Sequence, residues 1–470
     1  MSVTKILAEY SAGLRLERLP PEVVERARFL VLDLVGNIVR ARHDAESTPA
    51  LLASVRALGL AGGGLTGGTA GVFGDAARYT PAGAAFLNGA LGHSLDFDDT
   101  HAAGSLHPGA PVIPAAIAAG EMVGASGADV LAGIVAGYEV TCRIALALPA
   151  GDHYQRGFHP TATCGAFGAA AAAGRVFGMS GEAIASALGI ALSQAAGSLQ
   201  FLANGAWTKR VQVGWSALNG LAAATMAREG VKGAAEALEG KHGFLRAYAP
   251  NPVPERALEG LGRAYELMQT AVKPYPSCRF GHPGIDAALQ LREEFQIRPE
   301  EIERVTYGQS HSGMLLVGVP AEKKANPQNV VDGQFSGPFV LACALATGAM
   351  GWDSYALLDD PAIRALMARI DCVHDADVQA DFPARISGRV TVLARGEEFT
   401  RKIMVMKGEP ENFLSEGELR AKFAGLTETV LGPERARVLA DAVLAIDRTS
   451  DVTGLMRLGA PLLAARMAGE

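Results

Sequence analysis

The fifteen residues from His93 to His107 concentrate groups that can move protons. Their histidines, aspartates and single threonine are His93, Asp96, Asp98, Asp99, Thr100, His101 and His107. Apolar residues dominate both flanks of the segment. Ionisable groups beside apolar surfaces lose solvation, and their pKa values shift into the range that proton transfer needs. The segment therefore predicts proton-transfer chemistry, whereas the plainer interpretation is a polar loop that caps two helices.

Three later segments add cationic and imidazole groups near predicted turns. His159 and Thr161 stand in R-G-F-H-P-T-A-T-C-G, at the predicted N-terminus of a helix, where backbone N–H groups attract anions. Lys209 and Arg210 stand in W-T-K-R-V-Q-V-G-W, in apolar surroundings. The last group, in V-K-P-Y-P-S-C-R-F-G-H-P-G-I-D-A, consists of Lys273, Tyr275, Cys278, Arg279 and His282. Each group also has a structural interpretation: a core histidine, a solvated Lys-Arg pair or an inert thiol.

Taken together, these residue types suit a substrate that carries a carboxylate. Lys and Arg neutralise the carboxylate and stabilise the enolate-like anion that forms when the adjacent carbon loses a proton. A histidine with a pKa near neutrality takes or returns that proton, which contributes roughly 10²–10⁴-fold to the rate. Dehydration, decarboxylation and epimerisation of an acid all fit this set of groups.

A divalent metal ion is the alternative use of the run D-F-D-D and its histidines. Asp-rich runs hold magnesium through substrate phosphates. The sequence has no G-x-x-x-x-G-K-[ST] phosphate loop, and the glycine-rich stretch Gly62–Gly71 is predicted to be a flexible connector. We therefore expect no metal.

Composition bounds the class of protein. The 470 residues exceed one ordinary core, so we expect two domains of unequal size. Hydrophobic residues make up 49% and charged residues 19%, as in a folded enzyme, and the net charge of −7 disfavours nucleic acid. Five scattered cysteines and an N-terminus without a signal-peptide pattern indicate the cytoplasm. The most apolar runs end at Glu121 and Arg175, short of the roughly 20 residues a bilayer requires, so no membrane association is expected.

Helical periodicity extends from the N-terminus to about residue 265. The predicted helices are one opened by Pro20-Pro21, then Pro81–Leu91, Pro111–Val123, Asp129–Leu148, Cys164–Phe177, Gly181–Ala195, Val213–Glu229 and Ala234–Glu239. After Pro274 the pattern predicts a strand at 305–307 and a hairpin of Arg389–Leu393 with Glu398–Met406. Further helices are predicted at Pro283–Phe295, Phe335–Thr347, Glu416–Ala424 and Pro433–Ala445, followed by an apolar piece, Leu455–Ala468.

The fold class that follows is mainly α, with two domains. We predict a large all-helical domain formed by residues 1–268 and 409–470, which makes it discontinuous. Residues 269–408 are predicted to form a smaller α+β domain.

Several motifs, in order along nearly the whole chain, resemble the MmgE/PrpD family. They are G-H-S-L-D-F-D-D-T…H-P-G, G-F-H-P-T, T-K-R-V-Q-V-G-W-S-A-L-N-G, K-P-Y-P-S-C-R-F-G-H-P-G-I-D-A-A and D-G-Q-F-S-G-P-F-V-L-A. The resemblance implies that the α+β domain is a lid. It also implies a homodimer, and catalysis without metal or organic cofactor.

Carried over position by position, the resemblance implies two groups of site residues. The catalytic group is Asp96, His107, His159, Lys209 and Lys273. The substrate-binding group is Thr100, Tyr275, Cys278, Arg279 and His282.

Departures from the family pattern concern substrate choice. Cys278 stands where cis-aconitate decarboxylases have a histidine, and D-F-D-D-T-H replaces the D-x-N-D-T-W of bacterial 2-methylcitrate dehydratases. Many relatives have histidine where this chain has Gln212. We expect a lyase of the dehydratase type that acts on a small di- or tricarboxylic acid. The alternatives are an epimerase of the iminodisuccinate type, a cis-aconitate-type decarboxylase, and a protein that binds a small acid without turnover.

Overall fold

The computed structural model describes residues 2–62 and 69–461. The chain divides into two compact units, Met1–Ala271 with Glu416–Glu470, and Val272–Ser415. Helices predominate and the sheets are small, so the predicted mainly-α class with a small α+β region is confirmed.

The first unit is a helical assembly with two minimal β-pairs. Its helices before the boundary are α1 (Val3–Gly13), α2 (Pro21–Asp44), α3 (Thr48–Ala57), α4 (Pro81–Gly92), α5 (Gly109–Val123), α6 (Gly127–Ala147), α7 (Ala150–Gln155), α8 (Pro160–Val176), α9 (Gly181–Leu192), α10 (Thr208–Arg228) and α11 (Phe244–Tyr248). The antiparallel pairs are β1 (Ala70–Gly71) with β2 (Arg78–Tyr79), and β3 (Thr100–His101) with β4 (Thr270–Ala271).

Small residues allow the central helices α6 and α8 to cross at close range. A Cβ atom at Gly168 would lie 1.7 Å from the Oγ1 of Thr141 and 2.6 Å from the carbonyl oxygen of Gly137. Only glycine therefore fits at this crossing. Among the described residues, α6 alone is long and apolar enough to span a bilayer, but nearly all of its residues are buried against protein.

The second unit packs helices against a four-stranded sheet. The helices are α12 (His282–Glu294), α13 (His311–Gly313), α14 (Ala321–Lys324), α15 (Val330–Gln334), α16 (Gly337–Thr347), α17 (Pro361–Met367) and α18 (Ala376–Asp381). The strands are β5 (Ile302–Gln309), β6 (Ile370–His374), β7 (Gly388–Ala394) and β8 (Glu397–Ile403), in the order β6-β5-β7-β8. The predicted hairpin is β7-β8, and the predicted short strand is the middle of β5. Strand β6, which pairs parallel with β5, was not predicted.

The C-terminal segment returns to the first unit. It forms α19 (Glu416–Leu431), α20 (Pro433–Leu444) and α21 (Thr453–Leu458). Helix α19 packs on α2 at Gly36, where an added Cβ would lie 3.2 Å from side-chain atoms of both Phe423 and Leu426. A buried ion pair joins the same two helices, with the Lys422 Nζ 2.5 Å from the Asp33 Oδ1.

Several predicted boundaries differ from the structure. The predicted helix Ala234–Glu239 is wrong, because Glu236 takes a left-handed φ of +51° and the backbone N–H of Leu238 donates to the Thr4 hydroxyl instead of to a helical carbonyl. Helix α10 begins five residues before the predicted Val213, and α8 begins four residues before the predicted Cys164. Most of Gly62–Gly71 and the end of Leu455–Ala468 lie outside the described residues.

We expect Lys422→Met to lower the free energy of unfolding by about 3–5 kcal/mol, because it leaves the Asp33 carboxylate buried without its cation. Urea titration followed by circular dichroism measures the change. The matched control is Lys323→Met, which breaks an exposed pair with Asp332 and should cost less than about 1 kcal/mol. Equal losses in the two variants would contradict the assigned importance of the buried pair.

Candidate active site

The loop between α4 and α5 carries the candidates Asp96, Thr100 and His107, and Asp99 anchors it. Its buried carboxylate accepts hydrogen bonds from the hydroxyl of Tyr138 on α6, at 2.7 Å, and from the backbone N–H of Gly109 on α5, at 3.2 Å. Burial, followed by the charge of Asp98, raises the pKa of Asp99 well above its ordinary value. Asp99 therefore serves as a structural anchor in this arrangement.

His101 is a second anchor of the loop. Its Nδ1 accepts the backbone N–H of Gly104 at 3.0 Å, so its Nε2 carries the proton and donates to Glu266 at 3.1 Å. The sequence groups His101 with the proton-transfer residues. The structure gives both of its ring nitrogens protein partners.

Three imidazoles lie together beside this loop. The ring centroid of His93, which caps the C-terminus of α4, lies 4.7 Å from that of His107 and 5.9 Å from that of His159. His93 and His159 are almost fully buried, at 2% and 3% exposure. The Oδ2 of Asp98 lies 2.7 Å from the His93 Nδ1 and 3.5 Å from the His107 Nδ1.

Hydrogen bonds indicate which ring nitrogen of His93 and His107 carries the proton. The His107 Nδ1 lies 2.6 Å from the carbonyl oxygen of Asp99, which can only accept. The His93 Nδ1 donates in the same way to the carboxylate of Asp98. In the neutral form of each ring the lone pair is consequently on Nε2, the nitrogen a base would use.

Lys209 and Asp96 form an ion pair within the same group. The Lys209 Nζ lies 2.7 Å from the Asp96 Oδ1, and each side chain is 27% exposed. Burial acts to lower the pKa of Lys209, but the charge and hydrogen bond of Asp96 outweigh it and raise the pKa above its ordinary value. Asp96 has a left-handed φ of +53°, a conformation that Asp and Asn tolerate better than other side chains.

His159 occupies the N-cap position of α8. Its Nδ1 lies 2.8 Å from the side-chain nitrogen of Gln212 on α10. Burial lowers the pKa of His159 well below its ordinary value, and the electrostatic influence of His93 and Lys209 lowers it further. The ring is therefore neutral across the neutral pH range.

Thr100, on β3, follows Asp98 and Asp99 in the sequence, and its hydroxyl is buried. None of the described residues hydrogen-bonds its Oγ1. A ligand oxygen is a suitable partner for it, because a buried hydroxyl without a hydrogen bond is unfavourable.

The remaining candidates belong to the second unit. There Lys273 is buried, and the Tyr275 hydroxyl donates to Asp286 at 2.6 Å. Arg279 forms an ion pair with Glu409. The Cys278 backbone N–H donates to the carbonyl of Gln334 at 2.9 Å, and the His282 Nε2 lies 3.1 Å from the carbonyl of Ser277.

Three contributors to the site in the first unit were not among the ten site residues assigned from the sequence: His93, Asp98 and Gln212. His93 and Asp98 stand five residues apart in the motif, but only the turn at the end of α4 brings imidazole and carboxylate into contact. Gln212 is noticeable in the sequence only as a departure from the family pattern. Its position one turn after Lys209 on a helix that begins at Thr208 could have indicated it.

A metal ion is the alternative occupant of this group. His93, Asp98 and His107 offer ligand atoms that lie within 4.8 Å of one another. The Nδ1 atoms of both histidines donate to oxygens, so a metal would have to bind their Nε2 atoms or displace those hydrogen bonds. The described residues thus hold one another by hydrogen bonds, and we assign no step to a metal.

Comparison with known proteins gives the class. The MmgE/PrpD N-terminal domain matches residues 5–257, and the MmgE/PrpD C-terminal domain matches residues 275–448. The chain belongs to the MmgE/PrpD family. The C-terminal match continues past Ser415 into α19 and α20, which pack with the first unit.

Individual relatives are similar over almost their whole length. The chain is 28% identical to the cis-aconitate decarboxylase-like protein oryM of Aspergillus oryzae, over 97% of each chain. It is 27% identical to the cis-aconitate decarboxylase of Aspergillus terreus, over 97% of this chain and 95% of the relative. The human cis-aconitate decarboxylase is 26% identical, over 97% and 94%.

We expect Asp96→Asn to lower the pKa of Lys209, because the charge that offsets burial is removed while asparagine keeps the left-handed backbone. Carbon-13 methylation of the lysines, followed by NMR titration, measures it, with Lys209→Met identifying the signal. Asp381→Asn, which removes the partner of Lys402 in the second unit, is the matched control. An unchanged Lys209 titration in Asp96→Asn would contradict the interpretation.

Proposed function

We propose that this chain is a cofactor-independent lyase that moves a proton at the carbon beside a carboxylate of a small di- or tricarboxylic acid. The observation that carries the proposal is the grouping of three imidazoles, two of them beside the Asp98 carboxylate, together with the ammonium group of Lys209 that is paired to Asp96. The names of the relatives support a polycarboxylic acid as substrate.

In this proposal His93 and His107 are the candidate bases. Each presents Nε2 with a lone pair, and transfer of a substrate proton to a positioned imidazole contributes roughly 10²–10⁴-fold. The electron pair left on carbon spreads onto the carboxylate oxygens, where the ammonium group of Lys209 stabilises it. Asp96 keeps Lys209 protonated, and the Thr100 hydroxyl donates to a substrate oxygen.

The fate of the electron pair distinguishes the reactions of the class. In dehydration the neighbouring C–O bond breaks, and the leaving oxygen takes a proton to depart as water. In decarboxylation the electron pair comes instead from the C–C bond to a carboxylate, which breaks as CO₂ leaves, and this pair takes a proton at carbon. In epimerisation a proton returns from the opposite face. We place His159 as the group that supplies the proton.

The two leading reactions have different support. The relatives' names favour decarboxylation of cis-aconitate. Cys278, in place of the histidine of those enzymes, counts against decarboxylation, and dehydration is the reaction expected first from the sequence. The homodimer, the cytoplasmic location, and the roles of Lys273, Tyr275, Cys278, Arg279 and His282 stay predictions that rest on sequence.

A screen of polycarboxylic acids in deuterated water tests the function. Citrate, 2-methylcitrate, cis-aconitate and iminodisuccinate are incubated with the protein and followed by NMR. We expect deuterium at the carbon beside a carboxylate of one acid, together with water loss, CO₂ loss or inversion. A raised melting temperature without any exchange or product would replace the enzyme with a binding protein.

Substitution of the imidazoles tests the site itself. We expect His93→Asn and His107→Asn each to lower kcat by roughly 10²–10⁴-fold, because each removes a candidate base. The exposed His242→Asn is the matched control and should retain full activity. Turnover near that of the unaltered protein in both site variants would remove the assignment.

We expect a chelator to leave the rate unchanged, because the proposed proton transfer uses imidazole and ammonium groups and assigns no step to a metal. The measurement compares initial rates before and after dialysis against EDTA, with metal analysis of the dialysed protein. Loss of activity that zinc or magnesium restores would overturn the metal-independent mechanism.

A further inference from the structure

The side chain of Gln212 bridges His159 to a neighbouring loop. Its Oε1 lies 2.9 Å from the backbone nitrogen of Ser198, and its Nε2 lies 3.2 Å from the carbonyl oxygen of the same residue. That Nε2 also lies 2.8 Å from the His159 Nδ1. The backbone N–H of His159 donates to the carbonyl of Gly197 at 3.1 Å, which holds the same loop against the start of α8.

Ser198 fixes the orientation of this amide. A backbone N–H can only donate, so the atom that faces it is the amide oxygen of Gln212. A backbone carbonyl can only accept, so the atom that faces it is the NH₂ group. The second hydrogen of that NH₂ group is then directed at the His159 Nδ1.

This contact determines which nitrogen of the neutral His159 ring carries the hydrogen. Because Gln212 donates to Nδ1, the lone pair of the ring is on Nδ1 and its hydrogen is on Nε2. His93 and His107 have the opposite arrangement, since their Nδ1 atoms donate. The group therefore contains two imidazoles that can accept at Nε2 and one that can donate there.

We propose that Gln212 is a positioning residue that holds His159 as the neutral Nε2–H tautomer, and so makes His159 the proton donor of the site. The donor role rests on the proposed function, whereas the tautomer does not. The titratable groups with electrostatic influence on His159 are His93, Lys209, His153 and Asp96. In turnover the His159 Nε2–H bond breaks as the substrate anion takes the proton, the electron pair of that bond stays on the ring as an imidazolate, and a proton from solvent restores the bond.

The substitution Gln212→Glu tests the tautomer directly. Glutamate has nearly the same shape, but both of its oxygens can only accept, so the oxygen that faces His159 requires hydrogen on Nδ1. Long-range ¹H–¹⁵N NMR of protein with ¹⁵N-labelled histidine reports which ring nitrogen is protonated. His159→Asn identifies the signal by its loss.

We expect the unaltered protein to show His159 protonated at Nε2 alone, and Gln212→Glu to show hydrogen on Nδ1. The matched control is Gln200→Glu, which adds the same charge at an exposed position nearby and should leave the ring as it was. Hydrogen on Nδ1 in the unaltered protein, or the same tautomer in both proteins, overturns the proposal. If Gln212→Glu does not fold, Gln212→Met replaces it, and a mixture of both tautomers is then expected.

The activity measurement separates this inference from the proposed function. With an acid that exchanges deuterium, we expect Gln212→Glu to lower kcat at least tenfold while KM changes less than threefold, and Gln200→Glu to change neither. An unchanged kcat despite a switched tautomer overturns the donor role. If no acid is turned over but the tautomer switches as expected, the proposed function fails and the assignment of the tautomer stands.

Discussion

The buried carboxylate of Asp99 is the contact on which the site depends. Its side chain joins α5 and α6 through Gly109 and Tyr138, while its backbone carbonyl orients the ring of His107. The side chain of the preceding residue, Asp98, accepts a hydrogen bond from the His93 Nδ1. Two consecutive residues, Asp98 and Asp99, thus orient two imidazoles, and His101 anchors the loop further along the chain.

The site keeps its buried charges by arranging them in pairs. Asp96 offsets Lys209, and Asp98 accepts from His93 and lies close to His107. A cation or anion buried alone is strongly unfavourable. Within each pair, one group offsets the cost of removing the other from water. The partners also make the imidazoles differ in function. The Nδ1 atoms of His93 and His107 donate to oxygens, whereas the Nδ1 of His159 accepts from Gln212.

Much of the fold, and the types of residue at the site, could be predicted from the sequence. Helix periodicity gave the α-helical class, and the motifs selected His107, His159, Lys209 and Asp96, which the structure brings into one group. Strand β6 was missed because its alternation is weak, with acidic, cysteine and histidine positions on a partly exposed edge. The start of α10 was missed because its first turn, T-K-R, has no apolar periodicity.

The hydrogen-bond partners could not be predicted in the same way. Whether His159 meets a carbonyl, a carboxylate or the amide of Gln212 depends on how α8, α10 and the Ser198 loop come together, and no local pattern records that. Partners of this kind decide the protonation of a ring. Residue types therefore indicated proton-transfer chemistry. The tertiary contacts indicated which rings accept a proton and which one donates it.

The return of α19 onto α2 has a practical consequence for dividing the chain. A fragment cut at the end of the N-terminal family match would lose Lys422, Phe423 and Leu426 from the surface of α2. Asp33 would then keep its negative charge in an apolar groove newly open to water. Such a fragment invites aggregation, and dissection of this protein should instead excise the inserted unit and rejoin the flanking pieces.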